Sequence, residues 1–133
     1  MPTIFTRIIN GEIPCYKIAE DENYFAFLDI MPLAPGHVLV VPKKEINYIF
    51  DVDDELLKGI LPFAKKIASA MERVIPCERI GISVIGLEVP HAHVHLIPLR
   101  TLDDINFYRP KLKMSHEELS EIASKIVAII NSD

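Results

Sequence analysis

His91-Ala92-His93-Val94-His95-Leu96-Ile97 sets three histidines at alternate positions, with small or aliphatic residues between them. Side chains on a β-strand switch faces at every residue, so this spacing puts all three imidazoles on one face. Consecutive rings there would stand about 6.6–6.8 Å apart, from a rise of about 3.3 Å per residue. Ala92, Val94 and Leu96 would point the other way, into a core. Imidazole can serve as base, acid, nucleophile or metal ligand near neutral pH. The stretch therefore predicts both a half-buried strand, over Ala92 to Ile97, and a chemical site.

Working outward, Arg79 to Val84 reads as the strand before it. His37 to Val41 is a β-branched strand ended by Pro42, and Met31-Pro32-Leu33-Ala34-Pro35-Gly36 must be a loop. Tyr16 to Ala19 and Tyr24 to Asp29 read as strands around a polar turn. Thr3 to Ile9 suits a short helix stopped by Asn10-Gly11. Asp51-Val52-Asp53-Asp54 places carboxylates where the main helix opens, with an apolar stripe through Leu56, Leu57, Ile60, Leu61, Ala64, Ile67, Ala68 and Met71. Pro62 falls inside that helix and predicts a kink or an interruption. Ser115-His116-Glu117-Glu118 is a capping box opening a last helix through Ile130. The expectation is an α+β domain, an antiparallel sheet with helices packed on one face.

Composition narrows the function. A chain of 133 residues, half apolar and a quarter charged, suits one domain over 1–133 with its own core. A net charge of −5 argues against a nucleic-acid surface. The short basic clusters Lys43-Lys44, Lys65-Lys66 and Lys111 with Lys113 read as solvated surface. No apolar run approaches the roughly 20 residues that span a bilayer, so no membrane association is expected. The start lacks the pattern of a secretory signal. Cys15 and Cys77 make no ligand motif and fit reduced thiols in a cytoplasmic protein.

Several ordered stretches resemble one family. They are Ile4-Phe5-Thr6-Arg7-Ile8-Ile9-Asn10-Gly11-Glu12-Ile13-Pro14, Phe25-Ala26-Phe27-Leu28-Asp29-Ile30, Pro35-Gly36-His37-Val38-Leu39-Val40-Val41-Pro42-Lys43-Lys44, and the triad followed by Pro98-Leu99-Arg100. Together they resemble the histidine triad (HIT) family of nucleotide hydrolases and transferases, nearer its Hint-like branch. The likeness is strongest over 3–100, with a divergent C-terminal helical segment over 101–133.

The resemblance implies displacement at the α-phosphorus of a nucleotide, on nucleoside phosphoramidates or dinucleoside polyphosphates, through a nucleotidyl-histidine on His93. It implies that a backbone carbonyl holds the other nitrogen of His93 and that His95 contacts the phosphate oxygens. His91 and His37 would form a buried relay. Asp29 would accept from the ribose hydroxyls, and Phe5, Ile8, Phe27 and Ile30, with Ile4, would enclose a purine base. A homodimer joined at sheet edges is implied as well, with no cofactor required.

Three departures stand out. Thr3 and Thr6 replace a cysteine pair that holds structural zinc in many bacterial relatives, and Glu45 replaces a histidine after Lys44. Hydroxyls do not substitute for thiolates, so no structural zinc is expected. Before the triad, Leu87 and Glu88 stand where relatives often have glutamine and serine or threonine. Glu88 near a phosphate would repel it, or would act as leaving-group acid if its pKa were raised. The segment after Arg100 would cover the site mouth or extend a dimer contact. Two other functions stay open on the residues alone. One is a nucleotide- or partner-binding protein without efficient turnover. The other is a metal site at the triad with His37 as a further ligand.

Overall fold

The computed structural model describes residues 2–132. Five strands form one antiparallel sheet: β1 (Lys17–Glu20), β2 (Tyr24–Leu28), β3 (Val38–Pro42), β4 (Arg79–Ser83) and β5 (Val94–Leu99), in the order β1-β2-β3-β5-β4. Helix α1 covers Ile4–Ile9, α2 Asp54–Val74 and α3 His116–Ser132. This is the expected α+β architecture. No helix among the described residues is long and apolar enough to cross a membrane.

Alternation along the strands builds two cores. Ala26, Leu28, Val38, Val40, Val94 and Leu96 point to one face, where Ile60, Ala64, Ile67 and Met71 of α2 and Leu119, Ala123 and Ile126 of α3 cover them. Each fully buried valine, leucine, isoleucine or methionine there contributes about 1.5–3 kcal/mol relative to exposure. Phe25, Phe27, Leu39 and Val41 point to the other face and meet Phe5 and Ile8 of the short α1. The two long helices thus share a face, and the small one leaves room on the opposite face for a site.

Local signals end the elements as their chemistry dictates. Thr3 caps α1 by accepting from the Thr6 N–H at 3.1 Å, and Gly11 takes φ +80° just beyond it. Asp53 caps α2, accepting from the Leu56 N–H at 3.0 Å. Ser115 and Glu118 exchange backbone and side-chain bonds at 2.9 and 3.1 Å, a formed capping box. Leu61, expected on the buried stripe of α2, is exposed, and Ala70 is buried instead.

Two expectations are corrected. The helix is not interrupted at Pro62 but runs through it as one element. Pro62 lies on the exposed side, where water can satisfy the carbonyl that loses its N–H partner. The last strand begins at Val94 rather than Ala92. Val40 pairs with Val94, and two residues further along β3 comes Pro42, which has no N–H to continue the ladder. There the backbone turns to other partners: Ala92 donates to the Ile46 carbonyl at 2.7 Å.

Candidate active site

His95 is on β5, in register with Leu39, and so faces α1. His93 and His91 precede the strand but keep its alternation: Ala92 and Val94 are buried behind them. His37 enters from the loop before β3. Gly36 makes that entry possible with φ +88° and the close approach of Ile75, whose Cγ1 would lie 2.8 Å from any Cβ added there. The rings gather tightly, with centroids 4.9 Å apart for His93 and His95 and 5.1 Å for His37 and His95.

Hydrogen-bond polarity fixes where each proton sits. A carbonyl only accepts, so His93 Nδ1, 2.7 Å from the His91 carbonyl oxygen, must carry the proton. Its Nε2 is left with a free lone pair. The Leu33 N–H donates to His37 Nδ1 at 3.1 Å, which puts the His37 proton on Nε2. That Nε2–H donates to His95 Nδ1 at 2.9 Å, so the His95 proton is on Nε2. His37 is thereby held neutral: burial first, then the neighbouring imidazole charge, depresses its pKa to about 3. Burial likewise lowers His95 to about 4.

Neither Nε2, of His93 or of His95, has a hydrogen-bond partner among the described residues. Among the described residues no buried side-chain nitrogen or oxygen is left unsatisfied, so both atoms reach solvent. His93 and His95 are 7 % and 8 % exposed, and that small window includes these two nitrogens. One presents a lone pair, its neighbour an N–H.

His91 is wired differently. Its Nε2–H donates to the Pro42 carbonyl at 2.8 Å, and its Nδ1 accepts from the Thr3 hydroxyl at 2.9 Å. Glu45 completes the arrangement by accepting from the Thr3 N–H and the Thr6 hydroxyl, each at 2.7 Å. The three positions at which the zinc ligands are replaced therefore meet His91 in space. The Thr3 hydroxyl is committed as both donor and acceptor, so this group does not fit a zinc ion. It cross-links α1 to the triad with hydrogen bonds.

Asp29 stands 3.8 Å from His37 Nε2, and its Oδ1 accepts from the Met31 N–H at 2.9 Å. Burial raises its pKa, with the Met31 bond and Lys111 opposing. Asp29, His37 and His95 bring ligand-type atoms within 4.8 Å of one another. Their polarity opposes a metal centre: a neutral histidine ligating through Nε2 needs an acceptor at Nδ1–H, and His37 Nδ1 faces an N–H donor.

The remaining predicted residues divide. Phe5, Ile8 and Phe27 are buried in the core beneath the histidines, with Phe5 edge-on to His93 at 5.0 Å and to His91 at 5.8 Å. Ile4 and Ile30 are exposed. Glu88 is exposed on the turn after Gly86 and close enough to Asp29 for its charge to raise the Asp29 pKa. An open cleft of about 570 Å³ lies to one side, bordered by Ile30, Tyr16 and His116 and by none of the four clustered histidines.

Two side chains of the segment after Arg100 join the site, although sequence reading assigns a site role to neither. The chain after β5 returns across the histidines: Phe107 packs edge-on against His95 at 4.8 Å, and the Lys111 ammonium lies 4.9 Å from the Phe107 ring centre. Lys111 is therefore not the solvated surface lysine its cluster predicted. No periodic pattern marks either residue, and Phe107 has only the adjacent Tyr108 to set its segment apart.

The HIT domain profile matches residues 10–102. The chain belongs to the HIT family. Its HIT relatives include the adenosine 5'-monophosphoramidase of Schizosaccharomyces pombe, 36 % identical over 133 residues, covering 95 % of this chain and 99 % of that one. A HIT-like protein of Borreliella burgdorferi is 38 % identical over 131 residues, covering 92 % and 94 %. The crystal structure of a HIT-like protein from Bartonella henselae superposes with a TM-score of 0.82 at 34 % identity, covering 96 % of this chain and 95 % of that one.

Proposed function

We propose that this HIT protein is a nucleotide hydrolase or transferase that acts at the α-phosphorus through a nucleotidyl-histidine on His93. The observation that carries the reading is the pair of solvent-reaching nitrogens, an unprotonated His93 Nε2 beside a protonated His95 Nε2. In the first step the Nε2 lone pair forms a bond to phosphorus while the bond to the leaving group breaks, and His95 donates to a phosphoryl oxygen. In the second, water or another acceptor takes the nucleotidyl group and His93 is restored. His37 and His91 keep the cluster in the required tautomers. Asp29 accepts from the ribose hydroxyls, and a purine lies against Ile4 and Ile30 over the buried Phe5, Ile8 and Phe27.

The adenosine phosphoramidase activity named for the Schizosaccharomyces pombe relative favours nucleoside phosphoramidates, with dinucleoside polyphosphates as the other candidate class. Purine selectivity, a cytoplasmic location in keeping with two unpaired cysteines, and a homodimer belong to the same reading. The dimer is supported by β4, a sheet edge with Ile82 exposed, and light scattering tests it.

Rapid-quench intact mass measurement with an adenosine phosphoramidate should show one adenylyl group per chain, and His93→Ala should abolish both adduct and turnover while retaining adenosine monophosphate binding. Turnover surviving in His93→Ala would overturn the covalent mechanism. A second reading, nucleotide binding without efficient turnover, draws on Leu87 and Glu88, both exposed on the turn before the triad. Adduct formation would exclude it.

A further inference from the structure

His37 and His95, neutral at ordinary pH, offer an anion a hydrogen bond from His95 but no positive charge. The nearby carboxylates of Asp29 and Glu88 make matters worse for a phosphate. A cation at the site would favour a phosphoryl group held there. Among the described residues, one lysine and no arginine has a charge that reaches Asp29, His37 and His95, and it is Lys111.

The placement of Lys111 is built rather than incidental. The Leu112 N–H donates to the Pro32 carbonyl at 2.8 Å, tying the segment to the loop that delivers His37. Phe107 stands edge-on to His95 and supports the lysine ammonium on its ring. Lys111 is half-buried and has no carboxylate within 4 Å among the described residues. Its neighbour Arg109 is already taken, by Asp104 at 3.0 Å and Asp103 at 3.5 Å. The segment thus spends one cation on holding its own turn together and leaves the other uncommitted beside His95.

We propose that Lys111, supported by Phe107 beside His95, is the cation of an anion subsite that binds the phosphoryl group of a nucleotide. The nucleotide part rests on the function proposed above; the anion subsite does not. The C-terminal segment then completes the active site within its own chain, and Lys111 sets a preference for phosphorylated over uncharged ligands.

The test compares wild type, Lys111→Met and Lys111→Arg, titrated with inorganic phosphate, adenosine monophosphate and adenosine while the imidazole signals are followed by NMR. Methionine keeps an apolar stem over Phe107, and equal melting temperatures confirm that folding is intact. Lys111→Met should weaken phosphate and adenosine monophosphate binding about tenfold or more, the scale of one charge-assisted hydrogen bond, and leave adenosine unchanged. Lys111→Arg should stay within about threefold of wild type, since it keeps the charge. Adenosine monophosphate bound equally well by wild type and Lys111→Met would overturn the subsite and spare the nucleotide function. Phosphate binding that depends on Lys111, with no nucleotide binding by wild type, would establish the subsite and overturn the nucleotide function. If wild type binds neither, both fall.

Discussion

The Nδ1–H of His93 donates to the carbonyl oxygen of His91, two residues earlier, at 2.7 Å. This short bond decides the chemistry available at the site, because it forces the proton onto Nδ1 and leaves Nε2 nucleophilic. In the chain His37 to His95 the opposite tautomer prevails, set by the Leu33 N–H. Nitrogen NMR near pH 7.5 should therefore show His93 protonated at Nδ1 and both His37 and His95 at Nε2. An Nε2-protonated His93 in the free protein would remove the basis for its proposed role.

Thr3 connects the first helix to the triad through His91 Nδ1 at 2.9 Å. Thr3→Val keeps the shape and removes the hydroxyl that donates to a buried ring nitrogen, as well as the α1 cap. The expected cost is about 1–3 kcal/mol, read by urea denaturation. Thr3→Ser retains the hydroxyl and should recover most of it. Equal losses in the two variants would assign the effect to packing and not to the bond.

Stability should decline in acid through the buried histidines. In the unfolded chain they protonate near pH 6.5, whereas in the folded protein His37 and His95 wait until about pH 3 and about pH 4. Between these values the unfolded state binds more protons, so their contribution is complete above about pH 6.5 and is lost as pH falls toward 4 and then 3. The combined loss is on the order of several kcal/mol. His37→Gln should flatten the decline of stability between pH 6.5 and 4, even if it lowers stability overall. A slope unchanged from wild type would contradict this account.

Gly36 carries the turn that presents His37. An alanine there would be held at φ +88°, with its Cβ 2.8 Å from Ile75 Cγ1. Gly36→Ala should lower stability by about 1–3 kcal/mol in thermal or chemical denaturation. Relief by the double variant Gly36→Ala with Ile75→Ala would separate the steric part from the backbone part. A Gly36→Ala protein as stable as wild type would show that the loop relaxes freely.

Much of this architecture can be read along the chain, because its causes are local. The period of two through the triad, the carboxylate cap at Asp53, the Ser115–Glu118 box and the stop at Gly11 each depend on a few neighbouring residues, and each is formed. The grouping of Thr3, Thr6 and Glu45 is accessible only through family resemblance, and their meeting with His91 only through the fold. Pro62 misled because its effect depends on which side of α2 meets water. The start of β5 at Val94 misled because it depends on Pro42 in a neighbouring strand.

Tertiary structure decided the protons of His91 and His95 and the charge beside them. The Pro42 carbonyl that holds the His91 proton is 49 positions from that histidine, and His37, which sets the His95 tautomer, is 58 positions from His95. Lys111 reaches the site because Phe107 and the Leu112–Pro32 bond place it there. Side-chain periodicity determines which face a histidine occupies, since that follows from backbone geometry. Which of its two nitrogens holds the proton follows from the donors and acceptors that folding brings to it: near neighbours for His93 and His37, distant parts of the chain for His91 and His95.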